Sequence, residues 1–516
     1  MALRTGKMYR EALRDGREVY VDGVRVDDVP THPKLAPVVR TFERVYDLQH
    51  TAEYRDAMTW EGAGGERFSG SWMKPRTMEE GIWRRRMYQT VCRHTGGLFG
   101  RAPSDMGAAM LGILDLKSQF SQGRADREEN ITRIVEQSTA NDIAMAGAFI
   151  TEQIDANKPI DETDVPRAVE EREDGLLVSG VWTVSTFAAY ADECIFGTFP
   201  RPGQRDDHIL YFVMPISTPG IRVVARTVHD FENHAEHPLT RFGEENDSLV
   251  VFDRVLVPWE RVLSQGDPSF AVRVFPKISE WLHWSILARM AVKAELLVGI
   301  TALMPEVIGR TATPHSQEVV GEATRYLTTI RAFLYAAEQR GRISEQGWWV
   351  PDRIFVTAGR AYAAEHYRRI LANLQDLGGQ GLISLPPEGA FGNDVVGPTL
   401  EHMFSSPSAS RKERTTIFRA AYDLSSSSMG GRQTLFELFN ASPWVTMRQQ
   451  LVSNSDLAPF KDFARATAGL VDDEAEVHAI VGRVAEEGMS GSEKDLYDRV
   501  GSALLTQSGA PQPEGK

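Results

Sequence analysis

The sequence predicts an α+β fold, mostly helical, in three zones: a helical domain with a small hairpin over 1–154, a β domain over 155–275, and a helical bundle over 276–516. Three observations predict it. Stretches such as 78–94 and 130–150 carry few Pro or Gly. The middle third is broken into short β-rich runs at close spacing, the texture of a small barrel or sandwich. Beyond residue 276 long helix-compatible segments return.

Each element has a local reason. Residues 17–26 alternate polar and apolar around Asp22-Gly23, a hairpin signal. In the β zone, Asp174-Gly175 leads into Leu176-Leu177-Val178, then Ser179-Gly180, then Val181 to Val184. The run 209–216 is followed by Thr218-Pro219-Gly220 and 221–224. Residues 249–252 and 255–257 flank Asp253-Arg254, which reads as a hairpin turn. The stretch 282–304 places Leu282, Ile286, Met290, Leu297, Ile300 and Met304 at helical spacing. Arg289, Lys293 and Glu295 interrupt it, so it reads as a core helix rather than a membrane span. Segments 318–339 and 357–374 are long and helix-compatible, 378–381 is a loop, and the Pro/Gly-rich tail 509–516 is expected to be disordered.

Composition removes several function classes. A net charge of −14 and a pI of about 5.5 lack the basic face that nucleic acid requires. Only Cys92 and Cys194 occur. Two thiols make neither a disulfide scaffold nor an iron–sulfur cluster, and they fit a reducing cytoplasm. No metal site and no membrane partner are expected. Gly96 to Gly100 and Gly378 to Gly381 lack Gly-x-Gly-x-x-Gly spacing, so no site for NAD(P)H is visible.

The segment Arg241-Phe242-Gly243-Glu244-Glu245-Asn246-Asp247, running on through Val250 to Val262, resembles a signature of the 4-hydroxyphenylacetate 3-monooxygenase family. Blocks at 9–20, 26–33, 381–386 and 429–437 resemble the family in the same order. The resemblance implies an acyl-CoA dehydrogenase-like fold and the oxygenase component of a two-component monooxygenase. Its cofactor would be FAD as FADH2, delivered by a separate NAD(P)H:flavin reductase. Oxygen would reach a small aromatic or N-heteroaromatic substrate through a C4a-hydroperoxyflavin, in a homotetramer.

The resemblance also implies site residues. Gln153, Ile154 and Asp155 match a flavin-contacting loop, although a plain connector would read alike. Thr186 matches a flavin-contacting threonine, although a strand explains it equally. Thr198 and Phe199 match a pair that closes over the substrate. Gly430, Gly431 and Arg432, with Asn440 and Ser442, match the dinucleotide end; a helix cap and turn is the bland reading of the glycines.

Members that hydroxylate phenols carry an arginine, a tyrosine and a histidine around the reacting oxygen. Here Arg101 is retained, Asp105 stands at the tyrosine position, and the histidine position falls on Ile143 or Gly147. Arg101 and Asp105 are therefore expected to bind substrate and to take part in catalysis, and the substrate is expected not to be a simple phenol. Asp105 as a helix-starting carboxylate is the alternative. His283, in Trp281-Leu282-His283-Trp284, is the candidate replacement acid/base, against a core histidine. Two other functions stay open: a flavin-dependent dehydratase or isomerase of the 4-hydroxybutyryl-CoA dehydratase branch, and an inactive flavin-binding subunit.

Overall fold

The computed structural model describes residues 3–103, 105–151, 155, 157–198, 204–228, 233–267, 279–440, 442–471 and 473–486. Helices, a two-layer β unit and a helical bundle follow in that order, the acyl-CoA dehydrogenase-like arrangement.

The β unit is a sandwich. Its larger sheet runs Val24–Arg25, Glu18–Val21, Ile221–Ala225, Asp247–Pro258, Gly175–Thr186, Ile150–Thr151, with Arg167–Arg172 also pairing Gly175–Thr186. The smaller runs Val262–Gln265, Leu210–Pro215, Glu193–Gly197, Met145–Ala148. Trp182, Phe196, Phe212 and Phe252 are buried together, with ring centroids 4.8–5.9 Å apart. Aromatic packing of this kind fills a sandwich interior.

The structure departs from the sequence reading at three places. The Asp22-Gly23 hairpin forms, with both residues at positive φ (51° and 78°), yet Glu18–Val21 lies parallel to Ile221–Ala225. The hairpin thus extends the central sheet, a long-range pairing that local alternation does not encode. Asp253-Arg254 is not a hairpin turn. Asp247–Pro258 is one strand with a bulge there: Arg254 takes φ 51° and the register to Gly175–Thr186 shifts between Phe252 and Val255. The helix expected over 130–150 is Ala125–Asn141. Asp142 ends it at φ 48°, held by Gln49 Nε2 at 2.7 Å and the Tyr46 hydroxyl at 3.2 Å, and two strands follow.

Helix Trp284–Glu306 is the axis of the bundle, packed on Pro314–Gln339, Arg353–Gly378 and, from the first zone, Met78–His94. Thr77 and Asp352 cap two of these helices by accepting backbone N–H bonds. The charges that interrupt the apolar run form an ion cluster. Arg289 donates twice to Glu437 at 2.7 Å, Lys293 donates to Glu437 at 2.8 Å and to Gln433, and Gln433 donates to the Leu98 carbonyl at 2.6 Å. All four side chains are buried. No helix among the described residues is long and apolar enough to cross a membrane.

Candidate active site

The segment 241–247 lies where the three zones meet. Gly243 (φ 83°) passes so close to Pro37 and Val38 that a Cβ would lie 2.7 Å from the Val38 nitrogen. Beyond it, Glu245 accepts the backbone N–H of Gly100 at 2.9 Å and of Arg101 at 2.6 Å, and Arg432 Nη1 at 3.0 Å. Asp247 accepts Arg432 through both oxygens at 2.7 and 2.8 Å and the Thr186 hydroxyl at 2.8 Å. Glu244 takes Arg226 at 2.6 Å. Two carboxylates therefore tie the loop at 100–101, the end of strand Gly175–Thr186 and helix Ser428–Phe439 into one junction.

Arg101 is positioned from that junction. Its Nη1 donates to Asp105 Oδ2 at 3.1 Å and its Nη2 to Asn440 Oδ1 at 2.9 Å. The other Asp105 oxygen accepts the Tyr88 hydroxyl at 2.5 Å. Asp105 is buried, and helix Gly107–Asp115 starts without a side-chain cap, so Asp105 does not cap that helix. Burial, with the Asp105 charge beside it, holds the Tyr88 phenol well above its ordinary range, so it stays protonated and donates. Tyr88 was not singled out from the sequence. The available signal was its place four residues after Arg84 and four before Cys92, on the buried face of helix Met78–His94.

The two residues at the histidine position have different surroundings. Gly147 lies in strand Met145–Ala148, where an added Cβ would meet Met106 Cε at 2.5 Å and Phe149 at 2.9 Å. Met106, next in chain to Asp105, thus occupies the space above Gly147. Ile143 lies outside the strand, in the connection from Asp142.

His283 closes a π-helical turn, Ser279–His283, directly before helix Trp284–Glu306, and is 1% exposed. Such turns recur at functional sites. Burial, then the guanidinium groups of Arg360 and Arg101, hold its pKa well below the usual imidazole range. The imidazole is therefore uncharged at neutral pH, with Trp281 and Trp284 buried on either side in sequence. Arg360, which sequence reasoning missed, is buried in helix Arg353–Gly378 and donates through Nη2 to the Asn440 carbonyl at 2.7 Å. Arg101 from the first zone and His283, Arg360 and Asn440 from the third thus come together.

Other candidates have different surroundings. The Thr198 hydroxyl donates to the His208 carbonyl at 2.6 Å and accepts Leu210 N–H at 3.0 Å, bonds that hold one strand end to the next. Arg432 is engaged by two carboxylates, Glu245 and Asp247. A Cβ on Gly430 would lie 2.6–2.7 Å from the carbonyl oxygens of Leu424 and Asp423, so this glycine lets two helices approach; Gly431 faces open space. Asp155 is exposed and accepts both nitrogens of Asn157, at 2.9 and 3.0 Å. Ser442 follows the helix end, its N–H on the Phe439 carbonyl at 3.3 Å. Gln153, Ile154 and Phe199 lie outside the described residues.

The chain resembles known proteins over most of its length. Residues 5–264 match the model of the 4-hydroxyphenylacetate 3-hydroxylase N terminal, and 272–469 that of its C terminal. The chain is 32% identical over 489 residues, 92% of each chain, to the oxygenase component of 4-nitrophenol 4-monooxygenase/4-nitrocatechol 2-monooxygenase from Rhodococcus opacus. It is 32% identical over 471 residues, 90% of this chain and 97% of the other, to the 4-hydroxyphenylacetate 3-monooxygenase oxygenase component from Thermus thermophilus. The crystal structure of such a component complexed with FAD and 4-hydroxyphenylacetate superposes with a TM-score of 0.86 at 32% identity, covering 90% of this chain and 98% of that one. A 4-hydroxybutyryl-CoA dehydratase from N. maritimus shares the fold (TM-score 0.82) at 19% identity, covering 97% of this chain and 99% of that one. The chain belongs to the 4-hydroxyphenylacetate 3-hydroxylase family.

Proposed function

We propose that this FADH2-dependent monooxygenase oxidises a small aromatic or N-heteroaromatic substrate held against Arg101 and His283, with reduced flavin supplied by a separate NAD(P)H:flavin reductase and the chain assembled as a homotetramer in the cytoplasm. The observation that carries the reading is the Tyr88–Asp105–Arg101 chain. It fixes a guanidinium whose charge reaches a buried, uncharged imidazole.

The residues fit a flavin. Val224, Leu249, Val184 and Ile150 form a band of exposed apolar side chains across four adjacent strands of the larger sheet. The last strand leads in sequence to Gln153, Ile154 and Asp155. A flat aromatic ring system suits such a platform. Thr186 and the loop of Gln153, Ile154 and Asp155 would hold the ring end, and Gly430, Gly431, Arg432, Asn440 and Ser442 the neighbourhood of the dinucleotide. Bound FADH2 would supply the electrons that activate dioxygen.

The chain's own groups then orient and protect. Arg101 hydrogen-bonds the oxygen or nitrogen that becomes electron-rich on the ring. Asp105 positions Arg101, since both of its oxygens are already engaged. His283 accepts a proton from the ring O–H or N–H at an imidazole nitrogen. Trp281, Trp284, Ile286 and Met106 exclude water. In this reading Thr198 and Phe199 would close over the substrate.

The test is reductase-coupled turnover of the full chain with phenols, anilines and N-heteroaromatics, scoring oxygenated product against H2O2. We expect coupled oxygenation of at least one class, and a loss of about 10²-fold in kcat/KM in Arg101→Met. Turnover that yields H2O2 alone with every class would favour the inactive flavin-binding reading.

A further inference from the structure

Arg360 is 1% exposed, yet its Nε and Nη1 have no hydrogen-bond partner among the described residues. Burying a guanidinium with two unpaired N–H groups is expensive unless an anion joins it. The neighbouring cations do have counter-charges. Arg101 has Asp105, Arg432 has Glu245 and Asp247, and Arg289 and Lys293 share Glu437.

Arg360 and Asn440, which both carry unpaired donors, are in contact. Arg360 Nη2 holds the Asn440 carbonyl at 2.7 Å while Arg101 Nη2 holds the Asn440 side-chain oxygen at 2.9 Å. The Asn440 Nδ2 donor is also unpartnered. Arg360 and Asn440 line a tight seam with Met290, Met447, Arg289 and Glu437, which must widen to admit a guest. Its two methionines are flexible side chains that can yield to a guest.

We propose that Arg360 is the specificity-determining anchor for an anionic substituent on the substrate, a carboxylate, which takes a free Arg360 N–H, Nε or Nη1, with Asn440 Nδ2 as a further donor. The proposal rests on the reading of the Arg101–His283 pocket as the substrate site, and names which substrates enter it. A guanidinium N–H to a carboxylate oxygen is a charge-assisted bond. A neutral isostere leaves the guanidinium unpaired, so the site rejects it. Burial, with Arg101 and Arg289 close by, pushes Arg360 down to about 9. A bound carboxylate would reverse that push and relieve the positive field on His283, which makes the imidazole a better base once the right substrate is seated.

The experiment is equilibrium binding of 4-hydroxybenzoate and 4-hydroxybenzamide to the full-length, FAD-loaded protein, followed by tryptophan fluorescence and flavin absorbance. Wild type, Arg360→Met, Arg360→Lys and His283→Ala are compared, with FAD affinity measured for each. We expect wild type to prefer the carboxylate by at least about 10-fold. Arg360→Met should abolish the preference while amide binding stays within about 3-fold, and Arg360→Lys should restore part of it. No preference in wild type, or the same preference in Arg360→Met, overturns the proposal. Weakened FAD binding in Arg360→Met with the preference intact also overturns it, since the donors would then serve a flavin phosphate. Loss of both ligands in His283→Ala alone would leave the pocket reading standing and remove the anchor. Loss of preference in Arg360→Met with His283→Ala neutral would keep the anchor and remove the pocket reading.

Discussion

Tyr88, Asp105 and Arg101 form a relay in which each member fixes the next. Tyr88→Phe should leave a buried carboxylate oxygen without its donor, at a cost of about 1–3 kcal/mol in urea unfolding. It should also lower kcat/KM through Arg101; unchanged stability and kinetics would remove Tyr88 from the relay. His283 gives a pH prediction. Its pKa lies well below the ordinary 6.5, so the uncharged base-competent form persists as pH falls through that value. The acid limb of kcat/KM that belongs to His283 should therefore lie below pH 6.5 and vanish in His283→Gln. A limb above 6.5 that depends on His283 would contradict the burial argument. At this scale the sequence was partly legible. Arg101, Asp105 and His283 stand out as residue types in a resembling motif. Tyr88 and Arg360 do not, because a buried tyrosine or arginine on a helix looks like any other until the fold shows what it faces.

Helix Ser428–Phe439 separates packing from cofactor contact. Gly430→Ala would push a methyl against two carbonyl oxygens of the preceding helix and should cost about 1–3 kcal/mol. Gly431→Ala meets nothing within 4 Å and should stabilise by about 0.5–1 kcal/mol. If Gly431→Ala instead weakens FAD binding, the glycine serves the cofactor. Element boundaries were legible where caps and period agree: 78–94 is the helix Met78–His94. They failed where tertiary pairing decides. The residues at 145–151 are strands only because two sheets accept them, and Asp253-Arg254 bulges because Gly175–Thr186 runs alongside both halves of its strand.

Across the whole molecule, the 241–247 segment was the most informative stretch of sequence and is also the junction of the three zones. Glu245→Ala would release the Gly100–Arg101 backbone and half of Arg432's counter-charge. About 3 kcal/mol of stability should be lost, with FAD affinity falling in parallel. Retained stability on thermal unfolding would deny the junction its role. The bundle also leaves Met403, Leu435, Phe439, Val452 and Phe463 exposed, each by 44–63%. An apolar surface of this kind suits the proposed homotetramer; sedimentation should give four chains, and Leu435→Glu should shift the distribution toward smaller species. Three-zone order was legible from texture alone, whereas subunit contacts leave no periodic trace in a sequence.

The most direct measurement is rapid mixing of the FADH2-loaded protein with oxygenated buffer, recorded in the near-ultraviolet and the visible. The account predicts a near-ultraviolet band that forms first and persists, with oxidised flavin appearing later and faster when substrate is present. Oxidised flavin appearing in one step, at the rate of free reduced flavin, would contradict it.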